Sequence, residues 1–128
     1  EYWQFYKNEK ESWKNTTTVG QVADGFSRLV CPHFVSDPDV EAYIVLANPD
    51  GKDAIVNIAF HDDNGREVGK ARELVKANGK IALQPWEIVK SKATGVAFIS
   101  AQGGKITAEY WQAEKAKSYQ IATPIAGI

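Results

Sequence analysis

The alternation of apolar and polar residues along this chain predicts short strands separated by tight turns. Residues 42–47 form a dense block of β-branched, aromatic and aliphatic residues, which suits a buried strand. The runs 54–60 and 67–75 follow, and the second of them carries many charges on its outer side. Residues 48–51, Asn-Pro-Asp-Gly, and 62–65, Asp-Asp-Asn-Gly, have the composition of chain reversals. The inward face of the second strand is predicted to consist of Val56, Ile58 and Phe60. We therefore predict three strands in a meander.

Further apolar runs extend this pattern on both sides of the meander. The additional strands that they predict are 29–35, 81–83, 94–100 and 105–112. Within 94–100 we predict that Val96 and Phe98 point inward. Residues 101–104, Ala-Gln-Gly-Gly, are predicted to form a hairpin turn into the next strand. Pro85 opens the only plausible helical turn, 84–92, at a position where its missing N–H costs nothing.

The two ends of the chain differ in character. Residues 1–13 begin with four aromatics in six positions, which predicts an aromatic strand followed by a polar turn. The tail, 121–128, is apolar, but Pro124 and Gly127 interrupt regular extension, so we predict that it lies against the domain without forming a strand. No helix-length amphipathic pattern alternates with the strands, which argues against an α/β architecture. About seven or eight strands at this spacing predict one all-β domain over 1–128, an antiparallel β-sandwich that is Ig-like in architecture.

Composition restricts the class of partner. The chain has 128 residues, of which 44% are hydrophobic and 24% are charged, and its formal net charge is −1. The even mixture of Lys, Glu and Asp argues against a nucleic-acid partner, and no block of like charges suggests an anionic membrane surface. No apolar run is long enough to cross a bilayer, so we expect no membrane insertion. The sequence lacks Met even at its start, and we expect a processed mature form or a domain of a longer protein.

The single cysteine is the first candidate for chemistry. Cys31 lies in the apolar setting Leu-Val-Cys-Pro, which favours a small buried hydrophobic residue. The alternative is a nucleophile activated by a base. His33 lies two residues away, and in a regular strand both side chains would share one face. Because the sequence shows neither an orienting acid nor an oxyanion loop, we assign no catalytic residues and expect no enzyme.

Metal and cofactor motifs are also lacking. The two histidines and Cys31 lack the spacing of a zinc site, and no motif for another cofactor occurs. Asp62, Asp63 and Asn64 could offer oxygen ligands to a hard cation such as Ca²⁺ and form a weak candidate site. The favoured interpretation is that these side chains stabilise a solvated hairpin tip. We therefore expect no cofactor and no metal.

The aromatic residues are the strongest functional signal. They exceed what one sandwich core of this size requires, and exposed Trp and Tyr serve as sugar-stacking platforms or protein anchors. Tyr110 and Trp111 must point to opposite faces of their strand. The competing interpretation is that the aromatics fill the ends of the sandwich beneath loops. The candidate partner-binding residues are Tyr2, Trp3, Phe5, Tyr6, Trp13 and Trp111.

The tetrapeptide Glu-Tyr-Trp-Gln occurs twice, at 1–4 and at 109–112. Either two aromatic strands coincide, or a strand at the end of one unit recurs at the start of the next, as in a tandem array. The segments Ala42-Tyr-Ile-Val-Leu-Ala-Asn-Pro49, 55–60, Asp63-Asn-Gly65, 79–83 and Ile106-Thr-Ala-Glu-Tyr-Trp111 resemble β-sandwich modules of large secreted or surface-anchored bacterial proteins. The resemblance covers roughly residues 40–112. It implies a structural or adhesive role and an extracellular, cell-surface or periplasmic location.

These observations predict a noncatalytic module that mediates assembly or adhesion through a protein partner or a neighbouring copy of the module. The N-terminal aromatic strand is predicted to dock by pairing with the edge of another sheet. The first alternative is a carbohydrate-binding module with exposed Trp and Tyr side chains. The second is a small enzyme built on Cys31 and His33.

Overall fold

The computed structural model describes the backbone of residues 2–7, 12–17, 25–114 and 119–125, and the side chains of residues 25–113. Ten strands and one short helix follow one another along these residues. The strands are β1 Tyr2–Lys7, β2 Ser12–Thr17, β3 Arg28–Ser36, β4 Val40–Ala47, β5 Ala54–Asp62, β6 Glu67–Val75, β7 Lys80–Leu83, β8 Ala93–Gln102, β9 Thr107–Glu114 and β10 Tyr119–Ile125. The helix, α1, spans Pro85–Val89 and lies between β7 and β8. Among the described residues, no helix has the length and apolar character needed to cross a membrane.

Two four-stranded antiparallel sheets form the body of the molecule. Sheet I has the strand order β3-β8-β5-β6, and sheet II has the order β10-β9-β4-β7. Strands β1 and β2 pair with each other as a separate antiparallel hairpin. The predicted all-β antiparallel sandwich is confirmed, with eight strands in its two large sheets.

The core lies between the inward faces of the two sheets, where alternate residues of each strand are buried. On β5 these residues are Ala54, Val56, Ile58 and Phe60, so the predicted inward face of this strand is confirmed. The sheet II side of the core is formed by Ala42, Ile44, Leu46, Ile106 and Tyr110. Burial of such side chains contributes roughly 1.5–3 kcal/mol for each large residue, which makes this seam the main source of stability.

The predicted meander is only half correct. Strands β5 and β6 do form a hairpin through residues 62–65, but β4 belongs to sheet II and pairs with β7 and β9. The chain therefore crosses between sheets after β4. Asn48 explains the crossing, because its buried side-chain amide donates to the carbonyl oxygens of Lys52 (2.7 Å) and Val75 (3.1 Å). The second of these bonds ties the loop to the end of a sheet I strand.

A second predicted hairpin is wrong for the same reason. Strand β8 pairs with β3 and β5 in sheet I, whereas β9 pairs with β4 and β10 in sheet II. Residues 103–106 therefore carry the chain from one sheet to the other. Turn-forming composition sets a reversal of direction, but it does not determine which sheet the next strand joins.

The predicted inward face of β8 is also wrong. Gly95, Ala97, Ile99 and Ala101 are buried, whereas Val96 is half-buried and Phe98 is 46% exposed on the outer face. Ala97 is paired with Phe60 on β5, and the rings of Phe34 and Phe60 meet edge to face with centroids 5.0 Å apart. These two rings fill the space beside Ala97. A small residue therefore fits inward, and the larger Phe98 lies outside.

The remaining elements include one confirmation and one correction. Helix α1 lies within the predicted helical segment, with Pro85 in its first turn. The tail prediction was wrong, because β10 runs as a regular strand through Pro124, which is paired with Glu109 at the edge of sheet II. An edge strand tolerates proline, since one side of the strand needs no hydrogen-bond donor.

Candidate functional site

Most of the predicted partner-binding side chains lie outside the described residues. Tyr2, Trp3, Phe5 and Tyr6 are on β1 and Trp13 is on β2, where the structure describes the backbone alone. The two strands pair with each other, with Tyr6 opposite Trp13. The docking role of these aromatics therefore stays a prediction.

Trp111 and its neighbour Tyr110 occupy opposite faces of β9, as predicted. Tyr110 is 1% exposed, and its hydroxyl accepts a hydrogen bond from the Val35 N–H (3.0 Å) and donates to Oε1 of Gln112 (2.9 Å). Burial raises the pKa of Tyr110 well above its usual value, so the hydroxyl stays protonated. Trp111 is half-buried, and its indole N–H donates to the Glu109 carboxylate. Tyr110 therefore fastens the core of sheet II to β3, and Trp111 remains partly accessible.

The structure separates Cys31 from His33. A bulge in β3 between Cys31 and Phe34 turns both of these side chains into the core, and His33 is left exposed. The Cys31 thiol donates to the His33 backbone carbonyl (3.0 Å), and burial raises the pKa of Cys31 to about 11. The expectation that both side chains share a face is wrong, because it assumed a regular strand. The buried, apolar setting predicted for this cysteine is confirmed.

The hairpin tip between β5 and β6 uses its carboxylates to stabilise the turn. Oδ1 of Asp62 accepts from the backbone N–H groups of Asn64 and Arg66, each at 3.0 Å, and Oδ2 lies 3.2 Å from the Arg66 guanidinium. These hydrogen bonds, the one from the Arg66 N–H first, hold the pKa of Asp62 below its usual value. Asp63 accepts from the Thr94 hydroxyl at 2.6 Å. Across residues 25–113 the structure contains no group of three or more acidic, His or Cys side chains that could hold a metal ion.

The outer face of sheet I carries a different constellation, which strand pairing assembles from four separate parts of the sequence. Arg28, Ser100, Asn57 and Arg72 are successive partners across β3, β8, β5 and β6, so they form one row across the sheet. Val30, Phe98, Ala59 and Lys70 form the next row. Apart from Val30, the residues of the two rows line an open depression of about 560 Å³. We call Arg28, Asn57, Lys70, Arg72, Phe98 and Ser100 the basic face.

Among residues 25–113, the lining of the basic face carries positive charge alone. Its lining includes Arg28, Lys70 and Arg72 and no acidic residue. The salt bridges found among the described residues are Arg66–Asp62, Lys76–Asp53 and Lys92–Asp37, and none of them involves a cation of this face. Carboxylates gather elsewhere, because Asp37, Glu41 and Glu87 line a depression of about 280 Å³ beside Trp86. A net charge of −1 therefore conceals a strongly cationic surface.

The groups on the basic face are suited to binding. Guanidinium groups form bidentate hydrogen bonds with carboxylates or phosphates. The side chains of Asn57 and Ser100, which lie between the two arginines in the row, can donate and accept hydrogen bonds to a ligand. The Phe98 ring, held edge to face by His61 at a centroid distance of 5.2 Å, adds an exposed apolar surface. The charges of 67–75 are visible in the sequence, but this face is not, because Arg28 and Ser100 join it only through long-range pairing.

Comparison with known proteins supports the fold alone. No family model matches this sequence, and no curated protein matches it. The crystal structure of Thermotoga maritima 1070 is similar, with a TM-score of 0.68 at 10% identity over 81% of this chain and 96% of that one. The Anabaena sensory rhodopsin transducer is also similar, with a TM-score of 0.54 at 15% identity over 69% of this chain and 84% of that one. Identities this low carry no assignment of function.

Proposed function

We propose that this chain is a noncatalytic interaction module that binds an acidic partner through the basic face. The observation that carries the proposal is the convergence of Arg28, Lys70 and Arg72 on one sheet face whose lining holds no carboxylate. An exposed cationic surface of this kind attracts a partner of opposite charge and speeds its association.

The spacing of the cations suits an extended partner. Arg28 and Arg72 are separated by three strand-to-strand intervals, or about 14 Å between their backbones. Lys70 lies two residues from Arg72 on β6, about 7 Å along the strand. The separation of the two arginines exceeds the Debye length of about 8 Å at physiological ionic strength, so one small anion cannot neutralise the whole face. A partner with several carboxylates can.

The noncatalytic part of the proposal is supported by the placement of reactive groups. Cys31 is buried with a protonated thiol, and Tyr110 is also buried, so a substrate on the surface reaches neither group. General acid–base chemistry needs a group that can exchange a proton near neutral pH within reach of the substrate. From the sensory rhodopsin transducer we take only the fold.

Titration of the ¹⁵N-labelled protein with a hexaglutamate peptide, and with hexalysine as the opposite-charge control, tests the proposal. Hexaglutamate should shift the amide signals of Asn57, Arg72 and Ser100, and hexalysine should not. Arg72→Glu should weaken binding at least tenfold. Lys80→Glu makes the same change of charge at an exposed position on β7 of sheet II and should have little effect on binding. Equal effects of the two variants, or equal shifts with both peptides, would contradict an acid-binding face.

A carbohydrate-binding module is the second candidate. The exposed Phe98 ring lies beside Asn57 and Ser100, which is the combination of an apolar platform and hydrogen-bonding groups that a sugar ring requires. A neutral-glycan array distinguishes the two functions. Binding that Phe98→Ala abolishes and Arg72→Glu leaves intact would favour the sugar, and the reverse pattern would favour the acidic partner.

The docking role of the N-terminal strand and the extracellular, cell-surface or periplasmic location belong to the same proposal. Light scattering on the full chain and on a chain without residues 1–13 tests the docking role. If β1 connects copies or units, the shortened chain should form particles that contain fewer chains than those of the full chain. An identical number of chains per particle and identical melting would remove the idea. Fractionation of the source cells tests the location.

A further inference from the structure

The four edge strands of sheets I and II differ in how well they are protected against pairing with another strand. The edge strand β3 contains Pro32 and a bulge after Cys31, and β10 contains Pro124. The edge strand β7 has only four residues, Lys80–Leu83. Proline, bulges and short length each hinder the addition of another strand. Strand β6 has nine residues, Glu67–Val75, and contains no proline. Its own bulge, at Val68 opposite Phe60 and His61, lies at the hairpin end and leaves the pairing of Gly69–Val75 regular.

Strand β6 also forms one margin of the basic face. Lys70, Arg72 and Leu74 are paired with Ala59, Asn57 and Ile55 of β5, so all three point to the outer side of sheet I. Leu74 is 48% exposed. A strand added beside β6 would place its own alternate side chains opposite these three, with Cβ atoms about 5 Å away. The edge thus offers backbone hydrogen-bonding groups, two cations and one apolar side chain in order.

We propose that β6 accepts an extended acidic segment of a partner protein as a fifth strand of sheet I. This inference rests on the proposed function and names its partner class. The segment carries acidic residues opposite Lys70 and Arg72 and an apolar residue opposite Leu74, so its pattern is acidic-x-acidic-x-apolar in one direction or the other. Main-chain hydrogen bonds supply affinity and the alternate side chains supply specificity.

The same charges determine which strands are rejected. An antiparallel pairing of β6 with β6 of another copy, centred on Ala71, would bring Lys70 and Arg72 opposite each other, and like charges destabilise a cross-strand pair. Charged residues on an edge strand are a common protection against such self-association. An acidic strand turns this protection into attraction. The geometry therefore selects a partner that differs from this chain.

The test uses the full chain and the synthetic peptide Val-Thr-Glu-Thr-Glu-Thr, with its reversed sequence for the parallel orientation. A control peptide, Glu-Glu-Thr-Thr-Thr-Val, keeps the composition and removes the alternation. An N-methylated peptide keeps the alternating sequence but carries N-methyl groups on the alternate amides that would donate hydrogen bonds to β6. Binding is followed by ¹⁵N chemical shifts and by amide hydrogen exchange along β6.

The alternating peptide should bind in one orientation. It should slow hydrogen exchange at least tenfold at the β6 amides whose N–H groups point away from β5. The control and N-methylated peptides should bind at least tenfold more weakly. Lys70→Glu combined with Arg72→Glu should abolish binding of the acidic peptide and allow binding of the same peptide with Lys in place of Glu. If the alternating, control and N-methylated peptides bind equally and none of them slows amide hydrogen exchange along β6, strand addition is overturned and the proposed acid-binding face still holds. If none of the acidic peptides binds, both this inference and the proposed function fail.

Discussion

Asn48→Ala tests the structural reason why the chain crosses from sheet II to sheet I. Asn48 is 1% exposed at the end of β4. Its Nδ2 donates to the backbone carbonyls of Lys52 and Val75, and its Oδ1 accepts from the Asp50 N–H at 2.9 Å. The substitution removes these three bonds together and leaves the fold's apolar contacts in place.

The expected cost follows from which partners become unsatisfied. Val75 is 0% exposed, so its carbonyl loses a partner that water cannot readily replace, at a cost of about 1–3 kcal/mol. The Lys52 carbonyl and the Asp50 N–H lie in a more accessible turn, and their bonds contribute about 0.5–1 kcal/mol each. The free energy of unfolding should therefore fall by about 2–5 kcal/mol. For a domain of this size, that corresponds to a decrease in Tm of roughly 8–20 °C.

Urea unfolding followed by tryptophan fluorescence measures this loss. Asn48→Asp keeps the acceptor for the Asp50 N–H but turns a carboxylate oxygen toward two carbonyl oxygens in a buried site, so it should cost at least as much as Asn48→Ala. Asn64→Ala, at an exposed hairpin position, is the matched control and should cost less than about 0.5 kcal/mol. If Asn48→Ala costs no more than Asn64→Ala, the amide does not hold the crossing and the explanation given for the chain path is wrong.

Three further predictions concern buried or shifted groups. Tyr110→Phe should lower the free energy of unfolding by about 1–3 kcal/mol in urea titrations, because the Val35 N–H and the Gln112 side chain lose their shared partner, whereas Tyr43→Phe on the outer face of β4 should be close to neutral. Cys31 should react with iodoacetamide at about pH 8 only as fast as the protein unfolds, and rapid alkylation of the folded protein would contradict this. The pKa of Cys31 is about 11 in the folded protein and about 8.5 in the unfolded chain, so the free energy of unfolding should decline as pH rises above about 8.5. The pKa of Asp62 is lowered in the folded protein, so its ionised form stabilises the fold above about pH 4, and this contribution disappears as pH falls through the folded-state pKa. Asp62→Asn should therefore flatten the acid side of a plot of Tm against pH. An unchanged plot would refute the stabilising role of the ionised carboxylate.

Local patterns predicted the strands well because each strand buries one face along its own length. The alternation in 54–60 correctly identified the inward face of β5, and the Asn64-Gly65 pair correctly placed the hairpin after it. Both features depend on residues close in sequence. The Asn48 crossing could not be predicted in this way, because the bond that fixes it reaches Val75, 27 residues away.

The errors on β3 and β8 have a different cause. In 94–100 both alternating sets are apolar, so periodicity alone could not decide that Phe98 lies outside. The space beside Ala97 is filled by Phe34 and Phe60, which come from other strands. On β3, the bulge changes the phase of the alternation by one residue and moves His33 away from the face of Cys31.

The basic face shows why net charge is a poor guide to the local charge of a surface in this chain. The net charge of −1 and the even mixture of charges argued against a nucleic-acid partner, but such a sum does not say where the charges lie. Cross-strand pairing aligns Arg28 with Arg72 across four strands and places Lys70 in the next row, and the salt bridges of the described region use other cations. Leaving three cations together without carboxylates does not help folding, because like charges repel within one surface. A surface that does not help folding but attracts carboxylates supports the proposal of a partner that supplies them.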